Sequence, residues 1–206
     1  MAKTAKKKRW VQIIAPKLFN GQMLGETLVL DVKEALGRRV VTGTQALGVE
    51  GRHKANVEFE VVDTGGERLA TQIVGYNISK AIVKRMIKRN RERVDDSFVL
   101  ETQDDKQVRI KPLLVTRFST SNAVTTAIRK RARGILALAV KKATYDQFME
   151  QLISHRLQRQ LFDKLKKIYP LATCEIRKVE LLKTKAKTGV IKVDDAMIKE
   201  APKAEA

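Results

Sequence analysis

The chain has 206 residues, 43% of hydrophobic type, and carries a net charge of +19 with an isoelectric point near 10.2. That is enough chain for one large domain or two small ones, burying about 70% of the unfolded surface. The excess of cations calls for an anionic partner, whether nucleic acid, an anionic membrane or an acidic protein, and no stretch approaches the roughly 18 apolar residues of a membrane span.

The chain opens with a basic arm containing Lys3, Lys6, Lys7, Lys8 and Arg9 and no acid in residues 1–9. It has too little apolar content to fold alone, and nothing in it resembles the apolar core of a signal peptide. Trp10, the only tryptophan, is expected to pin into the core rather than stack on a base, because the apolar run continues through residues 11–14. A loop follows over 16–25, then strands over 27–32 and 38–42 around Gly37, and a further loop marked by Gly48, Gly51 and His53. Residues 55–62 alternate well, with Val57, Phe59 and Val61 on one face and Glu58 and Glu60 forming an acidic face on the other. Asp63, Thr64, Gly65 and Gly66 make a hairpin turn, and residues 68–78 supply the returning strand.

Asn77 or Ser79 can cap a basic helix near 79–91, with Ile78, Ile82, Val83, Met86 and Ile87 as its apolar stripe. Lys80, Lys84, Arg85, Lys88, Arg89 and Arg91 surround that stripe. Residues 97–101 and 108–115 read as paired strands, the second interrupted by Pro112, which cannot donate to a ladder and so marks an edge or a bulge. Residues 106–145 hold forty positions with no Asp or Glu and ten cations, among them Arg109, Lys111, Arg129, Lys130, Arg133 and Lys141. Their second half, near 121–142, is a helix capped by Ser121 or Asn122. Val124, Ile128, Ile135, Leu138 and Ala139 point inward, while Arg129, Lys130 and Arg133 point away; Arg131 falls within the stripe and is expected to snorkel outward. Ordinary solvated faces mix both signs, and with no acid at hand for pairing this one points to phosphates. Thr144 and Gln147 form a capping box for a run through Met149, Ile153, Leu157, Leu161, Leu165 and Ile168, with a break near His155 and a stop at Pro170. A last strand covers 175–182. The chain thus divides into an arm and loop (1–20), a β-rich core with one basic helix (21–120), a helical part with a final strand (121–183) and a tail expected to be disordered (184–206). The class is α+β.

Chemistry at a catalytic site is not apparent. His53 and His155 are far apart and lack partners for a metal, and Cys174, the lone cysteine, excludes an intramolecular disulfide and fits a reducing cytosol as a small core residue. The paired acids at 95–96, 104–105 and 194–195 sit in expected turns or tail, where solvation explains them. No nucleophile, base and orienter occur together, so neither an enzyme nor a cofactor is expected. Binding is better supported: the arm and the two basic helices hold 17 of the 42 Lys and Arg. Aromatics are only 5% and are not interleaved with the cations, which favours backbone and shape recognition of folded RNA over a stacking platform for single strands. Charge alone leaves DNA open, and a chromatin protein is the alternative reading.

Several segments together resemble the archaeal and eukaryotic small-subunit ribosomal protein family called S-one-e, formerly S-three-a-e. They are Lys7-Lys8-Arg9-Trp10, Ile14-Ala15-Pro16 with Phe19, Gly25-Glu26-Thr27, Val108-Arg109-Ile110-Lys111-Pro112, Ile168-Tyr169-Pro170-Leu171, and Glu175-Ile176-Arg177-Lys178-Val179. The stretch near 40–50 departs from the family in lacking its acids. The resemblance implies a β-barrel-like antiparallel or mixed sheet with packed basic helices. It implies a cytoplasmic, non-enzymatic constituent of the small subunit, bound to ribosomal RNA on the platform near the mRNA exit. Neighbouring platform proteins, including the S-eleven family, and passing mRNA are the implied partners. Arg177 and Lys178 join the arm and helix cations as candidate RNA-binding residues.

Overall fold

The computed structural model describes residues 7–49, 54–65 and 68–182. Lys3, Lys6, His53, the link at 66–67 and the tail beyond 182 lie outside the described residues. The described chain holds nine strands and four α-helices, the α+β class expected, arranged in two compact units, Met1–Asn77 and Ile78–Ala206.

In the first unit the strands are β1 (Arg9–Ile14), β2 (Met23–Val29), β3 (Arg39–Gly43), β4 (Ala55–Gly65) and β5 (Arg68–Ile78). Pairing runs β2-β1-β5-β4-β3, with β1 and β5 parallel. The alternating stretch of β4 behaves as its pattern dictates: Val57, Phe59 and Val61 are buried. Val61 packs with Val11, Ile13, Val29, Ala35 and Leu69, and Phe19 meets the Phe59 ring edge-on at 5.6 Å. The acidic face expected on β4 is only partly acidic to solvent. Glu60 is buried and held by Arg39, its cross-strand neighbour, at 3.3 Å.

Trp10 corrects the reading of the first strand. Its side chain is 67% exposed, while Val11 and Ile13 are buried. A mostly apolar run suggests burial throughout, but successive side chains of a strand point to opposite faces, and Trp10 falls with Gln12 on the outer one.

The second unit is built on β8 (Gln107–Thr116), which β9 (Leu171–Leu181) flanks on one side. On its other side lie β6 (Arg93–Asp95) and β7 (Phe98–Glu101). These two keep one register against β8, so they are a single line of strand interrupted at Asp96 and Ser97, opposite Pro112 and Lys111. The reason is local. Pro112 has no N–H to give the ladder, and pairing lapses there on one side. On the other side the β9 register slips at Lys111/Pro112, leaving Arg177 as the extra residue of a bulge. The strand is bulged rather than an edge. Among the described residues neither unit's ladders run round into a closed ring.

Helix α1 (Lys80–Met86) lays Ile82, Val83, Met86 and the following Ile87 on Leu113 and Val115. It stops well short of the residue-91 end that the charge run suggested. Ile87 is already extended, and Asn90 has a φ of 60°. Continuing the helix would stack Lys84 under Lys88 and Arg85 under Arg89, like-charge pairs that disfavour it. Helix α2 (Asn122–Lys141) buries Ile128, Ala132, Ile135, Leu136, Ala137 and Val140. Helices α3 (Tyr145–Ile153) and α4 (Arg156–Leu165) are one amphipathic run broken where expected, at His155, whose φ is 57°. The Thr144–Gln147 capping box is formed in both directions. Ile168 departs from the expected stripe: α4 has ended three residues before, so helical spacing no longer places it, and it is 41% exposed.

Candidate nucleic-acid interface

Pleat alternation in β8 puts Val108, Ile110 and Leu114 on one face and Arg109, Lys111, Leu113 and Val115 on the other. Since α1 covers Leu113 and Val115, Arg109 and Lys111 continue the same face, about 7 Å further along at roughly 3.3 Å per residue. Across the β8–β9 ladder, Lys178 stands opposite Lys111 and Glu180 opposite Arg109. Glu180 gathers the cations. Lys178 hydrogen-bonds it and Lys111 Nζ lies at 3.9 Å. The Lys178 hydrogen bond, followed by the charges of Lys178, Lys111 and Arg109, outweighs burial and holds the Glu180 carboxyl below its ordinary value. Three cations on one carboxylate leave this patch net positive.

The bulge adds a further cation. Arg177 reaches Asp95 Oδ2 at 3.8 Å, where Arg93 Nε already donates at 2.7 Å. The proline in β8 therefore has a consequence in the neighbouring strand: it produces the β9 bulge at Arg177, whose guanidinium reaches across to Asp95 on β6. Beyond this cluster, Lys84, Arg85, Lys88 and Arg89 are exposed on and just after α1, with Arg91 half-buried. Lys84, Arg85, Lys88 and Arg89 make no ion pair among the described residues.

Helix α2 presents a second positive surface. Lys130 and Lys141 are exposed and Arg129 is half-buried. Arg133 is differently placed. Its guanidinium grips Asp96, with Nη2 donating to Oδ1 at 2.7 Å and Nε to Oδ2, and it lies over the Phe98 ring at 6.0 Å. Burial raises the Asp96 pKa, but the Arg133 and Ser97 hydrogen bonds and the charges of Arg133 and Arg129 outweigh it, leaving the carboxyl below its ordinary value. The forty-residue stretch free of acid in sequence is thus supplied with acid in space, by Asp96, Glu180 and Asp104. The reading that no acid was at hand for pairing does not hold. Nor are the acid pairs simply solvated: Asp104 accepts the Tyr145 N–H at the start of α3 at 3.1 Å, and residues 194–195 lie outside the described residues. Arg131 is half-buried and engaged within the protein. Val124 and Leu138, assigned to the inner face, are half-buried, whereas Leu136, which the stripe missed, is fully buried.

In the first unit Lys7, Lys8 and Arg9 are exposed ahead of and at the start of β1. Sequence reasoning missed Asp95, Asp96 and Glu180 as organisers of the cations. Lys178 and Arg93 are only two residues from Glu180 and Asp95, but the Lys111–Glu180, Arg177–Asp95 and Arg133–Asp96 contacts join residues far apart in the chain and appear only in the fold. Cys174 is buried in β9, and burial followed by the charge of Glu175 pushes its thiol well above the ordinary range, in keeping with an inert core residue. No helix among the described residues is long and apolar enough to cross a membrane.

The family model described as the Ribosomal S3Ae family matches residues 2–185. Among curated relatives, a protein named small ribosomal subunit protein eS1 from Saccharolobus islandicus is 35% identical over 185 residues, covering 89% of each chain. Proteins of the same name from Saccharolobus solfataricus and Sulfurisphaera tokodaii are 31% and 32% identical, the latter over 88% of this chain and 94% of its own.

Proposed function

The chain belongs to the Ribosomal S3Ae family, and from that premise we propose that it is a structural constituent of the small ribosomal subunit in the cytoplasm, bound to ribosomal RNA. One observation carries the RNA reading beyond the family: the α1 side of the second unit joins four exposed cations, without an ion pair among the described residues, to the Arg109, Lys111 and Lys178 group around Glu180. A surface with this excess of charge is stable against its own repulsion when a polyanion covers it. Arginine suits the task, since its planar fork takes two phosphate oxygens at once.

On this reading Lys84, Arg85, Lys88, Arg89, Arg91, Arg109, Lys111, Arg177 and Lys178 contact RNA on one side. Arg129, Lys130 and Lys141 contact it from α2, and the arm (Lys3, Lys6, Lys7, Lys8 and Arg9) from the first unit. Arg133, already committed to Asp96, positions α2 and contributes charge only at longer range. The place on the platform near the mRNA exit, contact with S-eleven-type neighbours and contact with mRNA are part of the same proposal, and they rest on the family resemblance. The protein acts by binding, as a scaffold.

A sucrose gradient of cell lysate tests the reading. The chain should run with small subunits and leave that position only after high salt strips the particle. Recovery with nucleoid DNA, and none with small subunits, would favour the chromatin alternative.

A further inference from the structure

Trp10 is the only tryptophan of the chain, and it stands 67% exposed on a strand whose backbone is fixed by pairing on β2. Directly across the ladder is Leu28, itself 39% exposed, so the indole lies beside an apolar neighbour rather than alone. Gln12, Glu26 across from it, and Arg68 on the adjoining strand β5 complete the outer surface. Immediately before Trp10 come Lys7, Lys8 and Arg9, all exposed, in a segment with no acid. A large aromatic face on a backbone fixed by the sheet, with exposed cations one to three residues away, has the two elements that hold a single nucleotide: a π surface for the base and positive charge for its phosphate.

We infer that Trp10 is a stacking site for one unpaired RNA base, with the flanking phosphates neutralised by Lys7, Lys8 and Arg9. This rests on the reading that the protein binds RNA. It adds a contact that charge alone does not supply: one sensitive to bases and insensitive to salt. Glu26, two residues beyond Leu28 on β2, bounds the site, so the RNA backbone runs toward the arm. A protein partner would want the same indole, but the run of cations beside it matches a polyanion.

The lone tryptophan makes the test direct. The full chain is titrated with a labelled twelve-nucleotide oligoadenylate and with an abasic ribose-phosphate chain of the same length. Oligoadenylate should quench Trp10 fluorescence. Trp10→Leu should weaken oligoadenylate binding about tenfold, as expected for loss of one base–aromatic stack, without changing its salt dependence. Trp10→Phe should keep most of the affinity, and the abasic chain should bind the original protein and the Leu variant alike. Salt-steep binding of oligoadenylate with unchanged fluorescence and no loss in Trp10→Leu would overturn the inference while leaving RNA binding in place. Equal losses on the abasic chain would also overturn it, as would quenching by RNA-free small-subunit proteins but not by RNA. Failure to bind oligoadenylate and ribosomal RNA fragments alike would instead remove the reading on which it rests.

Discussion

Asp96 sits at the gap that Pro112 opens in the β8 ladder, on the side from which α2 approaches, and there it takes both hydrogen bonds that Arg133 offers. A bidentate, partly buried pair of this kind is worth more than a surface ion pair, but Arg133 is 39% exposed at its side chain, so solvent screening trims it to about 1 kcal/mol. The Asp96 pKa lies below its unfolded value. Its contribution is therefore fully present above the unfolded pKa of about 3.9 and is lost as pH falls through the folded one. Asp96→Asn should accordingly lower stability by about 1 kcal/mol at pH 7 in urea unfolding, with the difference from the original protein closing under acid conditions. A gap that stays the same as pH falls through the folded pKa of Asp96 would show that the carboxylate charge is not what matters. None of this was visible in the sequence. Asp96 and Arg133 are 37 positions apart, and an acid pair next to a serine looks like any solvated turn. The exposure of Trp10 is hidden for a related reason, since an apolar run in a strand reports that one face is buried without saying which residues occupy it.

At the scale of elements, what was legible is what depends on neighbours in sequence. The Thr144–Gln147 box, the break at His155 and the β4 alternation are each written within a few residues, and each is formed. The α1 end was not legible, because the stripe through Ile87 continues in register while the charges beside it stop the helix. Helix α2 shows a third case. Its apolar positions are real, but the inner face turns toward Ala132 and Leu136, since small residues allow close approach that a hydrophobic stripe does not advertise. Ile128→Ala, at a fully buried site, should cost about 2–5 kcal/mol by leaving a cavity. Thr144→Ala should cost about 1 kcal/mol by orphaning the first turn of α3. Asp104, which also accepts a bond from that turn, should hold the loss at the lower end of the capping range. Equilibrium denaturation of the two variants checks both, and a larger loss from Thr144→Ala than from Ile128→Ala would mean that α2 is not the packed element described.

For the whole molecule the governing quantity is charge that the protein does not neutralise itself. Of its 42 cations, those around Asp95, Asp96 and Glu180 are partly balanced within the second unit. On the proposed reading, the exposed ones on α1, on the outer side of α2 and in the arm, with the Arg109, Lys111 and Lys178 group, displace counterions from RNA. If six to ten phosphates are contacted, log affinity for a small-subunit ribosomal RNA fragment should fall with log salt at a slope of roughly −4 to −9, at about 0.7 to 0.9 per phosphate. Replacing Lys84, Arg85, Lys88 and Arg89 together by Gln should flatten that slope by roughly three to four units while moving stability by no more than about 0.5 kcal/mol per residue, since all four are exposed. Arg133→Gln should do the opposite, lowering stability and leaving the slope nearly unchanged, because its charge is already spoken for by Asp96. The two outcomes separate cations that bind from cations that build. A slope shallower than about −2 for the unaltered chain, or a quadruple variant that unfolds with its slope intact, would show that the exposed cations are not the RNA-binding surface.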